Sequence, residues 1–283
     1  MVMQLSRCPI SKNQVIAPGY FLMEIESPEI AGEAEPGQFV MIKTRDGLEP
    51  LLRRPLSLHR ISSTSIELLY QVIGKGTRSL SRTRPGEFLD LLGPLGKPFP
   101  LPKSNSGSTL LVAGGMGIAP ILALAEKIAK RSKVLPAPRL RQAGKGQRSR
   151  APLKIHLLYG AKNKANLVRI NDFQKLGVEV KTVTEDGSAG RKGLATDLLQ
   201  KFLGPSSGQI SAVYACGPRP MLKSVARIMK NKKIPLYLSL EEMMACGMGA
   251  CLGCSVRAKG KEIHYLRVCQ DGPVFLAEDI IFD

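Results

Sequence analysis

The chain has no run of eighteen apolar residues, so nothing in it reads as a membrane-spanning helix. Its longest apolar stretches, such as Leu110–Ala113, have the length of a core strand. The first fourteen residues hold Arg7 and Lys12 but no continuous apolar segment, so no secretory leader is expected and the cytoplasm is the expected compartment. Cysteine is scarce, six in 283 residues, and in such a chain that argues against a disulfide framework. Acidic residues are outnumbered, 23 against 41 Lys and Arg, for a net charge of +18. Between Lys127 and Lys154 they vanish altogether, leaving ten Lys or Arg. The same stretch holds no aromatic residue, whereas a single-strand nucleic-acid binder interleaves stacking platforms with its basic groups. Nucleic acid is therefore not the expected partner, and a zinc-knuckle binding module loses its main support. Residues 136–152, rich in Pro, Gly, Gln and Arg, read as a solvated insertion. There is no internal repeat.

What is present divides into three. A chain of 283 residues suggests two domains at roughly 150 residues each, and 43% hydrophobic residues allow an ordinary core. Residues 1–104 show short apolar runs (Phe39–Ile42, Ile66–Val72, Phe88–Leu92) between turns at Pro36-Gly37, Gly74-Lys75-Gly76, Pro85-Gly86 and Gly93-Pro94, the pattern of a small β-barrel. Residues 105–235, after a polar linker at Lys103–Ser108, alternate strand and helix signals. The strand runs are Thr109–Ala113, Ile155–Tyr159, Glu179–Val183 and Ala212–Ala215. Helices are expected to about Lys130 and over Arg219–Met229, which implies a parallel α/β sheet with a basic insertion at about 135–152. Residues 236–283 carry the cysteine group and two short strand-like pieces, Ser255–Ala258 and Glu262–Leu266.

Four of the six cysteines crowd into that last segment as Cys246-x4-Cys251-x2-Cys254-x14-Cys269. A C-x4-C-x2-C core with one distant thiolate is how plant-type loops hold a [2Fe–2S] cluster. Bridging sulfides accept backbone N–H bonds, so the loop must wrap closely, and Gly247, Gly249 and Gly253 permit that. A structural zinc site is the competing assignment, but zinc commonly uses paired C-x2-C knuckles, and only one such pair exists here. Cys8, in a polar N-terminal stretch, reads as a plain thiol.

Two further constellations point to nucleotides. Arg54-Pro55-Leu56-Ser57 on a barrel strand can pair with a flavin pyrophosphate through Arg54, with Ser57 meeting the ring. Leu69-Tyr70-Gln71 lies on the next strand, where an aromatic ring can stack on the cofactor, and Gly76-Thr77 offers N–H groups and a hydroxyl to phosphate. Each piece also fits a plainer account: a solvated arginine on a surface strand, a tyrosine in the core. Gly114-Gly115-Met116-Gly117 joins a strand to a helix, so the helix start can face the pyrophosphate of NAD(H). It is short of a full G-x-G-x-x-G, and a tight turn that binds nothing has the same look. Cys216-Gly217-Pro218 follows a later strand at the usual ligand edge of an open sheet. Cys216 reads equally as a nicotinamide neighbour and as a small buried hydrophobe.

Taken together these residues resemble the ferredoxin–NADP reductase-like superfamily, and within it the electron-transfer subunits of type B dihydroorotate dehydrogenase. The resemblance rests on Pro-Gly-Gln-Phe (36–39), Arg-Arg-Pro-Leu-Ser (53–57), Gly-Lys-Gly-Thr (74–77) and Leu-Gly-Pro-Leu-Gly (92–96) in the barrel. It continues through Gly-Gly-Met-Gly-Ile-Ala-Pro (114–120), Tyr-Ala-Cys-Gly-Pro (214–218), the 241–254 cysteine run and Val-Cys-Gln-Asp-Gly-Pro-Val-Phe (268–275). It implies an oxidoreductase subunit with FAD on the barrel, NAD(H) on the α/β domain and a small C-terminal [2Fe–2S] domain. It also implies a partner, an FMN-containing catalytic subunit that oxidises dihydroorotate in pyrimidine biosynthesis, in a heterotetramer of two of each. Subunits serving a hydrogenase, a sulfite reductase or a ferredoxin–NADP complex share this plan and stand as the alternative. Gln71 departs from the more usual Arg beside the flavin, and the basic insertion is longer than the family pattern leads one to expect.

Overall fold

A computed structural model describes residues 3–44, 50–104, 107–134, 153–204, 209–260 and 262–282. The basic insertion at 135–152 lies outside the described residues, as do two positions of the expected linker.

Six antiparallel strands close into a barrel: β1 (Gln4–Ala17), β2 (Tyr20–Glu26), β3 (Phe39–Lys43), β4 (Arg54–Ile61), β5 (Ser65–Gln71) and β6 (Phe88–Leu95), in the order β1-β2-β5-β4-β3-β6. Two one-turn helices, α1 (Pro28–Glu33) and α2 (Lys75–Leu80), fill connections between them. Closure removes every free sheet edge, and the inward residues Ile10, Met23, Ile25, Val40, Ile42, Leu58, Ile66 and Leu68 form one core. β1 is the element the sequence conceals. Its polar outer face hides a fourteen-residue strand that pairs first with β6 and then with β2. Cys8, expected in a polar stretch, is buried within it, and burial pushes its thiol up from the ordinary range.

The second unit is a sheet of order β10-β9-β8-β7-β11-β12-β15. Its strands are β7 (Ser108–Gly114), β8 (Lys154–Ala161), β9 (Glu179–Thr184), β10 (Arg191–Lys192), β11 (Ile210–Cys216), β12 (Leu236–Ser239) and β15 (Val274–Leu276). Among the described residues four helices accompany it: α3 (Ile118–Val134), α4 (Ile170–Lys175), α5 (Ala195–Phe202) and α6 (Arg219–Met229). All pairings are parallel except β12 with β15. The continuous apolar run of β7 follows from its central place, because both faces are covered. Leu111 and Ala113 face the side of α3, and Leu110 and Val112 the side of α5 and α6. Helix α3 buries Ile118, Ile121, Leu122, Leu124 and Ile128, each worth about 1.5–3 kcal/mol relative to exposure.

The C-terminal segment is not a separate ball. A hairpin of β13 (Ser255–Ala258) and β14 (His264–Arg267) projects from it, but β15 returns to extend the main sheet beside β12. The expected cut at 235/236 therefore falls just before a strand of the α/β sheet. Val256, Val268, Cys254 and Cys269 share a core with α5, α6 and Phe275. That shared core fixes the cysteine loop against the rest of the molecule.

Candidate functional site

Strand β7 sends its chain to β8 on one side, and β11 lies on the other, so the sheet order reverses between β7 and β11. Ligand crevices form at the carboxyl ends of such strands. The two turns expected to bind nucleotide leave the sheet there and press together. A Cβ on Gly117 would lie 2.1 Å from the Cys216 carbonyl oxygen, and one on Gly114 2.5 Å from Met221 Sδ. At Gly117, set against backbone, only glycine allows this approach, and α3 begins directly after the turn. Gly115, at φ +52°, has open space where its side chain would be. The Tyr159 hydroxyl steadies the turn by donating to Asn166 O at 3.0 Å and lies 3.4 Å from Gly115 O. Cys216 itself is fully enclosed, and burial, followed by the nearby Glu241 carboxylate, pushes its thiol far up. That is the behaviour of the buried hydrophobe, not of a reactive thiol.

On the barrel, Arg54, Pro55, Leu56 and Ser57 are half exposed at the start of β4. Gly76 is buried beneath Arg54, whose Nε would be 2.7 Å from a Cβ there, so the arginine lies across the Gly76-Thr77 turn. Thr77 keeps its hydroxyl for the loop, accepting from the N–H of Ile73 at 3.0 Å and of Gly74 at 3.2 Å. Leu69 is buried and Gln71 half exposed. The expected stacking ring of Tyr70 must be corrected. It is 1% exposed, stacked on Phe21 with centroids 5.5 Å apart, and its hydroxyl donates to Asn13 Oδ1 at 3.0 Å. Tyr70 falls on the inward face of β5 with Ile66 and Leu68, so its ring joins the barrel core, while Leu69 on the opposite face packs against the nucleotide domain.

The four clustered cysteines come together as two pairs. Cys254 and Cys269 are buried with sulfurs 3.2 Å apart. Cys246 and Cys251 form the outer pair, the Cys251 N–H pointing at Cys246 Sγ at 3.4 Å. Further N–H donors converge on sulfur, from Gly249 to Cys269 at 3.1 Å and from Cys269 to Cys254 at 3.4 Å. Burial works against ionising Cys246, but the N–H groups of Cys251, Met248 and Ala250 outweigh it and bring the thiol down to about 6. Burial, then the Cys254 sulfur, pushes Cys269 up to about 12, a cost that a bound cation relieves by replacing the proton. Among the described residues no three His, Cys, Asp or Glu side chains are placed to hold a single ion. Two-plus-two is what a binuclear cluster needs, with two thiolates for each iron, so the donor set fits [2Fe–2S] better than tetrahedral zinc. The loop is shaped for close wrapping: Gly247, Gly249 and Leu252 take positive φ, and a Cβ on Gly249 would strike Gln270.

Sequence reading missed the supports. Arg267 holds Asp271 through Nε at 3.1 Å and donates to Gly249 O at 3.3 Å, tying β14 to the cysteine loop. Met41 packs on Gly247, its Cγ 2.5 Å from where a Cβ would stand. An i, i+4 Arg–Asp pair was the one available signal for the first; nothing local marks Met41.

Residues 241–281, which contain all four of these cysteines, match the iron–sulfur cluster binding domain of dihydroorotate dehydrogenase B. Residues 111–227 match the oxidoreductase NAD-binding domain. A relative from Bacillus caldolyticus, named as the electron transfer subunit of dihydroorotate dehydrogenase B (NAD(+)), is 36% identical over 97% of this chain and 98% of its own length. The chain belongs to that family. A second member, from Caldanaerobacter subterraneus, is 39% identical over 87% of each chain. The solved structure of an NADH-dependent reduced ferredoxin–NADP oxidoreductase superposes with TM-score 0.80 at 29% identity, over 98% of this chain and 90% of that one. A ferredoxin reductase of carbazole 1,9a-dioxygenase, at TM-score 0.65 and 17% identity, shares the fold. The chain is thus an oxidoreductase electron-transfer subunit built as a ferredoxin reductase-like barrel, an NAD-binding domain and an iron–sulfur domain. Among the described residues no helix is long and apolar enough to cross a membrane.

Proposed function

We propose that this chain is the electron-transfer subunit of an NAD-dependent dihydroorotate dehydrogenase in de novo pyrimidine (UMP) biosynthesis. Electrons from a partner's FMN pass through a [2Fe–2S] cluster on Cys246, Cys251, Cys254 and Cys269, and through FAD on the barrel, to NAD+. One contact carries the reading. Met41 on β3 packs against Gly247 of the cysteine loop, and its register partner on β4 is Pro55, in the middle of the Arg54–Ser57 segment. The cluster loop and the flavin strand are therefore separated by a single strand.

A bound flavin supplies the chemistry that neither neighbour has alone, since it exchanges hydride pairs with nicotinamide and single electrons with iron. The protein holds and orients. Arg54 over Gly76 meets the flavin pyrophosphate, while Ser57 and the Leu69–Gln71 backbone border the ring. The Gly114-Gly115-x-Gly117 and Cys216-Gly217-Pro218 turns seat NAD(H).

The cluster reaches its partner at the surface. Cys251 is exposed, and in the same 241–254 segment Met243 is 89%, Leu252 61% and Met248 45% exposed. An apolar rim about an iron ligand suits a protein docking face, here that of the FMN subunit, with two copies of each chain. Six cysteines, none of them in a disulfide, suit the reducing cytoplasm.

The test is reconstitution with the FMN subunit and assay of dihydroorotate-dependent NADH formation. NADH formation supports the reading. Transfer only between ferredoxin and NADP, with none from dihydroorotate, would hand the assignment to the ferredoxin–NADP class, which the 0.80 superposition favours next.

A further inference from the structure

Strand β4 follows β5 in register at Leu58↔Leu68, then skips, so that Arg60 faces Glu67 and His59 is left as the extra residue of a β-bulge. A bulge breaks the in–out alternation and re-aims side chains. Here both His59 and Arg60 reach the nucleotide domain. Arg60 pairs with Glu126 on α3 at 2.7 Å and Asp172 on α4 at 3.3 Å, as well as with Glu67 on its own barrel at 3.0 Å.

His59 is 0% exposed. Its Nδ1 lies 2.8 Å from the carbonyl oxygen of Ala119, in the first turn of α3, and its Nε2 lies 3.2 Å from Arg169 Nε. A carbonyl only accepts and a guanidinium only donates, so Nδ1 carries the proton and Nε2 the lone pair. The ring is neutral in a single tautomer. Burial brings its pKa down to about 3; the Arg169 and Arg60 charges act in the same direction, while Ala119 and Asp172 oppose them. Ser57 of the flavin strand lies two residues before His59, and Gly117 of the nucleotide turn two residues before Ala119.

We propose that His59 is a positioning residue, whose Nδ1–H bond to Ala119 sets the nucleotide turn against the flavin strand and so the stacking of nicotinamide on the flavin. This rests on the reading of β4 as the flavin strand. Ion pairs such as Arg60–Glu126 hold the two domains together, but long side chains tolerate sliding. A buried ring bonded at both ends does not. Hydride transfer needs reacting atoms about 3–3.5 Å apart, and a misplacement of about 1 Å can cost about 100-fold.

The experiment is stopped-flow reduction of the FAD by NADH in full-length, flavin- and cluster-loaded protein, with the long-wavelength charge-transfer absorbance of the flavin–nicotinamide pair as second readout. His59→Asn keeps an amide donor where Nδ1 stands. His59→Gln moves that donor out to the Nε2 position, and His59→Leu removes it. The Leu and Gln variants are expected to lose the charge-transfer band and to reduce flavin about 10–100-fold more slowly at saturating NADH, with NADH affinity and flavin content within about threefold. His59→Asn should restore band and rate to within about threefold of the native protein. Native rates in both Leu and Gln variants, or an Asn variant as slow as they are, would overturn the proposal. Should His59→Leu fail to bind FAD, the Asn–Gln pair decides. A native protein whose flavin NADH cannot reduce would instead overturn the reading on which the proposal stands.

Discussion

Cys216 and Cys246 are the same residue put to opposite uses. Each is followed directly by a glycine, Cys216 at the end of β11 and Cys246 in the cysteine loop. Cys216 is enclosed next to a carboxylate and its thiol is pushed far up, so it is inert packing. Cys246 is half buried under three N–H groups and is brought down to about 6, with three more thiols near it. The difference is made by backbone donors and companions, not by the residue. The wider contrast has the same form. In the cysteine loop the side chains perform the chemistry and glycines make room for them. In the proposed nucleotide turns the backbone would do the binding, and what matters is that side chains are absent.

The contrast is broken most severely by Cys251→Ser. It should abolish cluster absorbance and lower dihydroorotate-linked NADH formation by roughly 100-fold or more, while NADH oxidation by artificial acceptors through FAD survives. Loss of FAD reduction as well would mean that the two sites are not separable. Gly117→Ala attacks the other side. Its Cβ would overlap the Cys216 carbonyl, so NADH-dependent flavin reduction should fall by about 100-fold with iron content unchanged. Gly115→Ala, strained only by its positive φ, should cost about 1–2 kcal/mol on thermal unfolding and leave the iron in place.

Acid sharpens the comparison at His59. Its folded pKa of about 3 lies below the ordinary 6.5, so the unfolded chain takes up the extra proton first. Stability is complete above about pH 6.5 and falls toward pH 3 by about 1.4 kcal/mol per pH unit, a slope that chemical denaturation of His59→Asn should lack. The smallest effect belongs to Cys216→Ala. About 1 kcal/mol of stability should go, with iron and flavin content unchanged, and loss of iron would contradict its assignment to packing.

The legible parts of this molecule are those whose chemistry is local. The cysteine spacing, the Gly114–Gly117 turn and the Arg54–Ser57 strand each announce themselves within a few residues, and helix α6 spans Arg219–Met229 as its pattern predicts. What escaped depends on distant partners. β1 looks polar because its outer face is, and only pairing with both β2 and β6 reveals its inward side. The ring of Tyr70 goes inward beside Ile66 and Leu68, and because Leu69 on the opposite face is buried too, the strand's own pattern does not tell the inward face from the outward one. Met41 and His59 are ordinary barrel residues until the fold sets one against Gly247 and the other against Ala119. β15 cannot be joined to β12 from sequence, because three residues carry too little pattern to name a neighbour.

The most direct test of the account is metal, sulfide and flavin analysis with an absorbance spectrum on anaerobically purified protein. The account predicts a coloured protein with about two irons, about two acid-labile sulfides and about one FAD per chain. Colourless protein, or zinc in place of iron, would contradict it.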